Sequence, residues 1–258
     1  MMMSLKSIVL AAATAALFAV PATAPAAAEN FSAPQRGEIE RIVREYLVSH
    51  PEVLQEAMAE LEKRQAVAEA EKSKTTIKSN AEAIFSSPRQ VTIGNPQGDV
   101  TLVEFFDYNC GYCKRALSDL MDLMKSDSKL KVVLKEFPVL GPGSVEAAQV
   151  AVAVRMQDKT GKKYLEFHQK LLGGRGQADK ARALAVAKDV GLDMTRLEKD
   201  MTSEEAKATF DENIKLAETL GMNGTPSYVV GSEVVVGAVG LDTLKQKVST
   251  ARCGGSTC

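Results

Sequence analysis

Cysteine is scarce in this chain, with four in 258 residues. So few cannot build a small disulfide scaffold; folding must rest on a hydrophobic core, and the cysteines are left for other work. Histidine is scarcer, with only His50 and His168, too few for a conventional histidine metal site. An excess of one charge is also missing. The 32 basic and 33 acidic side chains leave a net charge of −1, so there is no electrostatic case for nucleic acid as a partner. After Val20 no apolar run is long enough to span a bilayer, and neither an internal repeat nor a low-complexity tail is present.

The one apolar run is at the start. Lys6 precedes residues 8–20 (IVLAAATAALFAV), and Ala26, Ala27 and Ala28 give the small-residue pattern of a cleavage site. The run is too short to span and ends at Pro21, so residues 1–28 are predicted to be a secretory signal peptide cut after Ala28. The remaining chain is expected to be exported and soluble, in a compartment where disulfides persist. It is long enough for one ordinary core plus an appendage.

From Ser32 to about Ile84 the pattern is helical and strongly charged. Ile39, Ile42, Val43, Tyr46 and Leu47 make one apolar face, and Val53, Leu54, Ala57, Met58 and Leu61 make a second after Pro51. Two short amphipathic helices cannot bury both faces alone, so they need a partner surface: the following domain or another copy of the chain. Residues 62–80 are rich in helix formers and read equally as a solvated connecting helix or a hinge.

Beyond Pro88 strand patterns enter. Residues 90–93 form a short candidate strand, 95–98 a turn, and 100–106 (VTLVEFF) a run apolar enough to be buried on both faces. A helix over 115–125 and an inner strand over 131–137 follow. Helical patterns then cover 144–156, 164–172, 178–190 and 202–220, the last with a capping box at Thr202 and Glu205 and a face of Phe210, Ile214 and Ala217. A hairpin (227–230, a Gly231-Ser232 turn, 233–239) and a helix over 241–251 complete the order.

Two of the cysteines stand three apart in FFDYNCGYCK, directly after the buried strand. A C-x-x-C pair is a redox couple, half a metal site or a structural bridge. Its position at a strand-to-helix junction puts Cys110 at a helix N-terminus, where unpaired N–H groups and the helix dipole stabilise a thiolate. Cys113, one turn in and shielded, is placed to attack a mixed disulfide formed at an exposed Cys110. Far downstream, Gly224-Thr225-Pro226-Ser227 sets a proline directly before a strand, which is awkward for a ladder unless the Thr225–Pro226 bond is cis. An ordinary trans proline in a loop is the alternative.

C-G-Y-C after an apolar strand, a helical stretch, then G-T-P before a hairpin and a last helix resembles the thioredoxin-like fold. More closely, residues 91–251 resemble the bacterial periplasmic DsbA family. Residues 36–65 (RGEIERIVREYLVSHPEVLQEAMAELEKRQ) are similar to the helical extension of ScsC proteins, named for suppression of copper sensitivity. The resemblance implies an α/β thioredoxin-like fold over 86–258 with a helical insertion at about 142–222. Residues 29–85 would be a helical oligomerisation region and linker helix. It implies Cys110 as attacking and Cys113 as resolving cysteine, with Thr225 and Pro226 as a cis-proline loop that binds the substrate strand. Strong oxidases of the family carry C-P-H-C, whereas Gly111 and Tyr112 stand here. Without that histidine the thiolate should be less stable and the disulfide less oxidising. C-G-Y-C and threonine before the cis-proline match the dimeric periplasmic isomerases.

Glu104 lies inside the apolar strand and matches a buried acidic position of the family. It is either a proton relay for Cys113, with Lys135 as a partner, or a solvated glutamate at an edge. The second cysteine pair, Cys253 and Cys258, reads most simply as a small structural disulfide; a regulatory pair, an intersubunit bond and a zinc site shared with the first pair are the alternatives. His168 falls with Tyr164, Phe167 and Leu171 on a helix face and reads as a core histidine, His50 as a cap or a solvated residue, and the methionines as core filler.

The sequence thus points to a periplasmic thiol-disulfide oxidoreductase, isomerase or reductase in direction, needing no cofactor. Its expected partners are exported proteins with cysteines, a membrane thiol reductase or oxidase, and further copies of itself through the N-terminal helices. The competing readings are a dithiol oxidase and a protein that captures cuprous copper on Cys110 and Cys113.

Overall fold

A computed structural model describes residues 31–255; the expected signal peptide and Cys258 lie outside them. The chain divides into two compact units, with the boundary between Leu61 and Glu62. In the first, α1 (Ala33–Ser49) starts from Ser32, which forms a capping box with Gln35. His50 caps its C-terminus, Pro51 cannot continue it, and α2 (Glu52–Ser79) begins at the next residue. Ile39, Ile42, Val43 and Tyr46 of α1 are exposed, as are Leu54, Met58 and Leu61 of α2. The stretch read as helix or hinge is helix as far as Ser79.

The second unit is built on five strands: β1 (Val91–Gly94), β2 (Val100–Phe106), β3 (Leu130–Glu136), β4 (Ser227–Val230) and β5 (Glu233–Val236). Their order is β1-β3-β2-β4-β5, so the apolar β2 is central. Only the β2–β3 pair is parallel, joined by α4 (Gly111–Ser126); the other three pairs are antiparallel. Gly231, at φ +59°, supplies the left-handed residue of the β4–β5 turn. β5 ends at Val236, short of the expected Val239, because Gly237 turns the backbone to φ +91°.

Between β3 and β4 the chain inserts α5 (Pro142–Gln157), α6 (Lys162–Leu172), α7 (Lys180–Asp189), α8 (Met194–Met201) and α9 (Glu204–Thr219). Helix α8 was not expected. It is short, starts from Asp193, which accepts from Arg196 N at 3.0 Å, and buries only Leu197 and Met201. The capping box at Thr202 and Glu205 does not form. Thr202 is spent ending α8, and Ser203 caps α9 by accepting from Ala206 N at 3.2 Å. The buried face of α9 is also shifted from the expected one. Of the expected residues Ala217 is buried, Phe210 half-buried and Ile214 exposed; Thr209, Asn213 and Leu216 point inward instead, the two polar side chains finding partners in Arg155 and the Glu136 carbonyl.

The sheet has a core on each face. Leu102, Phe106, Val132 and Leu134 pack with Leu120 and Leu123 of α4, with the insertion, and with Val248 of α10 (Leu241–Cys253). Val103, Phe105 and Val133 face the other way, against Leu216 of α9, Ile84 of α3 (Ala81–Phe85) and Ile77 near the end of α2. The helical residues just before β1 are therefore part of this unit's core.

Candidate active site

The apolar β2 ends at Phe106, and a four-residue turn, with Cys110 N donating to Asp107 O at 3.1 Å, delivers the chain to α4. Cys110 is the N-cap residue of that helix. Its Sγ accepts from Cys113 N at 3.4 Å and donates to Thr225 O at 3.1 Å. The first contact turns the sulfur toward the N–H groups at the helix start. The second comes from the far end of the sequence, where β4 pairs antiparallel beside β2 and brings the Thr225–Pro226 bond, which is cis, over the cysteine.

Both cysteines are free thiols. Cys113 is fully buried, and Cys110 is only 5 % exposed, less open than a lone attacking sulfur was expected to be. The Thr225 carbonyl covers it. Between them Gly111 and Tyr112 are exposed, and the guanidinium of Arg115 lies 4.4 Å from the centre of the Tyr112 ring.

Glu104 is 2 % exposed on the central strand, which rules out the solvated edge position. Among the described residues its Oε2 has no hydrogen-bond partner, and burial pushes its carboxyl up to about 8. The Cys113 thiol is pushed well up, first by burial and then by the charge of Glu104. Tyr228 stands opposite Glu104 across the β2–β4 ladder and so shares its face of the sheet.

Lys135 does not partner Glu104. In the parallel register Glu104 faces Leu134 and Phe105 faces Lys135, so the two side chains leave opposite faces of the sheet. Lys135 is instead 3.9 Å from Glu212 of α9, and burial lowers its ammonium to about 8. The sequence shows which residues alternate but not the register between strands.

His168 is buried against Phe106, at 4.6 Å between ring centres, and burial lowers it to about 3, so it is a neutral core side chain. It ends a buried polar chain. His168 Nδ1 is 3.4 Å from the Tyr108 hydroxyl, which is 3.4 Å from that of Tyr164, and Tyr164 donates to the Glu136 carboxyl. His50 is on the surface, with Nδ1 3.1 Å from Glu52. Cys253 is the last residue of α10, and its expected partner Cys258 is outside the described residues.

Two groups near the cysteines were not singled out beforehand: Asp107 and Asn109. Asp-x-Asn before a helix start is a signal for side chains that bond nearby backbone, and Asn109 N indeed donates to Asp107 Oδ1 at 2.7 Å. Their remaining partners lie in the insertion and leave no local mark in the sequence.

Residues 101–249 match the family model of the DSBA-like thioredoxin domain. Residues 35–68 match that of the copper resistance protein ScsC N-terminal domain. Among solved structures, a thioredoxin-like oxidoreductase from Silicibacter pomeroyi DSS-3 is 43 % identical with a TM-score of 0.64, the match covering 67 % of this chain and 98 % of that one. ScsC of Proteus mirabilis, in a transitional conformation, is 30 % identical with a TM-score of 0.63, covering 87 % of this chain and 98 % of that one. The sodium/proton antiporter NhaA 1 of Salinispora arenicola is 25 % identical over 62 % of this chain, but the match spans only 24 % of that protein's length. No helix among the described residues is long and apolar enough to cross a membrane. The chain belongs to the family of DSBA-like thioredoxin domains and is a thiol-disulfide oxidoreductase of the DsbA and ScsC type.

Proposed function

We propose that the protein is a periplasmic disulfide isomerase, with reductase capacity, acting on exported proteins through Cys110 and Cys113. The observation that carries this reading is the asymmetry of the pair. Cys110 is held at a helix N-terminus beneath Thr225, while Cys113 is fully buried with its proton hard to remove.

The Cys110 thiolate attacks a client disulfide, forms a mixed disulfide and releases one client thiolate, which takes a proton from water. From there two routes open. Another client thiolate attacks the client sulfur of the mixed disulfide, so a new client disulfide forms and the Cys110 thiolate leaves: the client is rearranged with no net change in electrons. Alternatively Cys113 passes its proton to the Glu104 carboxylate and attacks Cys110 Sγ, so the client leaves reduced and the protein leaves oxidised. A membrane thiol reductase would then restore it. A resolving thiol that stays protonated prolongs the mixed disulfide and favours the first route. In this reading the cis-proline loop at Thr225 and Pro226 aligns the client strand, residues 1–28 direct export, and Cys253 with Cys258 closes a structural loop. The exposed apolar faces of α1 and α2 pair copies of the chain, so that several thiols face one client.

The test is reactivation of a scrambled, multi-disulfide protein by the chain from Glu29 and by a version starting at Glu62, where the second unit begins. The longer chain is expected to reactivate it, and the shorter one to exchange thiols without reshuffling. Equal failure of both at reshuffling, with simple exchange intact, would sink the isomerase reading.

The match of residues 35–68 to a copper-resistance family favours a second reading, in which the reduced pair binds cuprous ion, a soft ion suited to thiolates. Copper stoichiometry of the reduced protein and of Cys110→Ser separates the two.

A further inference from the structure

We propose that Asp107 and Asn109 are positioning residues for disulfide exchange. Together they clasp the loop that carries Cys110 to two separate segments of the helical insertion, and so set where a protein client meets the sulfur. This rests on the reading of Cys110 as the attacking thiol.

Asp107 is 1 % exposed and its carboxylate is fully occupied. Oδ1 accepts from Asn109 N and from Ser144 Oγ, each at 2.7 Å; Oδ2 accepts from Val139 N at 2.8 Å and Leu140 N at 2.9 Å. All four donors are neutral groups; two of them, Val139 N and Leu140 N, belong to the stretch that leads from β3 into α5, and Ser144 Oγ lies in the first turn of α5. That stretch, Pro138 to Gly143, has no side-chain hydrogen-bonding group of its own, so its amides depend on an acceptor from elsewhere.

Asn109 makes the second grip. Its Oδ1 accepts from Ala178 N at 2.7 Å and its Nδ2 donates to Ala178 O at 2.8 Å, so the side-chain amide pairs with Ala178 as a strand would. Nδ2 also donates to Ser144 Oγ at 3.0 Å, which joins the two grips through one hydroxyl. Lys114, one turn into α4, adds a third tie through Gly176 O at 3.2 Å.

The clasped segments present what a client would touch. Val139 and Leu140 are 46 % and 53 % exposed although their amides are held from behind. Arg175 is exposed in the Gly173–Gln177 loop, which leads to the second clasped segment at Ala178. A network serving stability alone would not need to end one and three residues before the reactive cysteine.

The experiment compares two substrates, a scrambled multi-disulfide protein and glutathione disulfide, which is small enough to reach Cys110 without the insertion. Asn109→Ala is expected to raise KM for the protein client about tenfold, while its rate with glutathione disulfide falls by no more than about twofold. Ser144→Ala, which removes only the bridging hydroxyl, gives the same split to a smaller degree and serves if Asn109→Ala does not fold. Adding it to Asn109→Ala costs less than the sum of the two single effects, because the groups act in one network. Equal slowing of both substrates, or no change with either, overturns the clasp. Exchange that survives in Cys110→Ala would overturn the assignment of the attacking thiol instead.

Discussion

Glu104→Gln is expected to stabilise the reduced protein by on the order of 3 kcal/mol at pH 8 and by far less at pH 5. Burial raises the Glu104 carboxyl from 4.5 to about 8. As pH rises from 4.5, the unfolded chain gives up this proton while the folded protein keeps it until about 8. Folding in that window takes up a proton, so this group's contribution is fully present below the unfolded pKa and is lost as pH climbs to the folded one. Glutamine has no proton to lose. The glutamine variant should therefore separate from the native protein progressively across the window, in urea unfolding curves taken at several pH values. A constant difference at every pH would show that the gain comes from packing and not from ionisation. In the proposed relay the same group would set the choice of route. Near neutrality Glu104 is mostly protonated and cannot accept the Cys113 proton, so client reduction should grow relative to rearrangement as pH passes about 8. The variant should lack that rise.

Ile84→Ala should cost about 2–4 kcal/mol, and Ile77→Ala a similar amount, because each leaves a cavity that the surrounding core closes only in part. Ile84 is 0 % and Ile77 4 % exposed, both packed with Val103, Phe105 and Val133 under the central strands. Val43→Ala, on the exposed face of α1, should stay within about 0.5 kcal/mol in dilute protein. It follows that a truncation starting at Ser86 removes part of the core, whereas one starting at Glu62 spares it. Thermal melts of the two truncations should differ by several degrees or more. Identical melting would show that α3 and the end of α2 are passengers.

The parts of this protein that the sequence makes legible are those that repeat a pattern or compress a motif. The run VTLVEFF reads as a buried strand and is one; C-G-Y-C after it and G-T-P before a hairpin are the two halves of one site, joined in space by β4 pairing with β2. What stays hidden depends on register and on distant partners. Glu104 and Lys135 lie on adjacent strands, yet a one-residue difference in register decides that they never meet. Helix α8 is too short for a period to declare itself, and Ser203 takes the cap from Thr202 because the preceding helix ends there. Asp107 and Asn109 announce a turn, but their partners at Val139, Leu140, Ser144 and Ala178 come from a segment with which they share no pattern.

The interruption of the sheet by five helices bears on the order in which the protein assembles. β2 and β3 are separated only by α4, so they can pair early, while β4 can reach its place beside β2 only once the chain has been made through the whole insertion. The half of the site that carries Cys110 therefore exists before the half that carries Thr225. Until β4 pairs beside β2, the Cys110 sulfur lacks the Thr225 carbonyl that covers it in the folded protein. In pulse-labelled hydrogen exchange the β3 amides should become protected before those of β4.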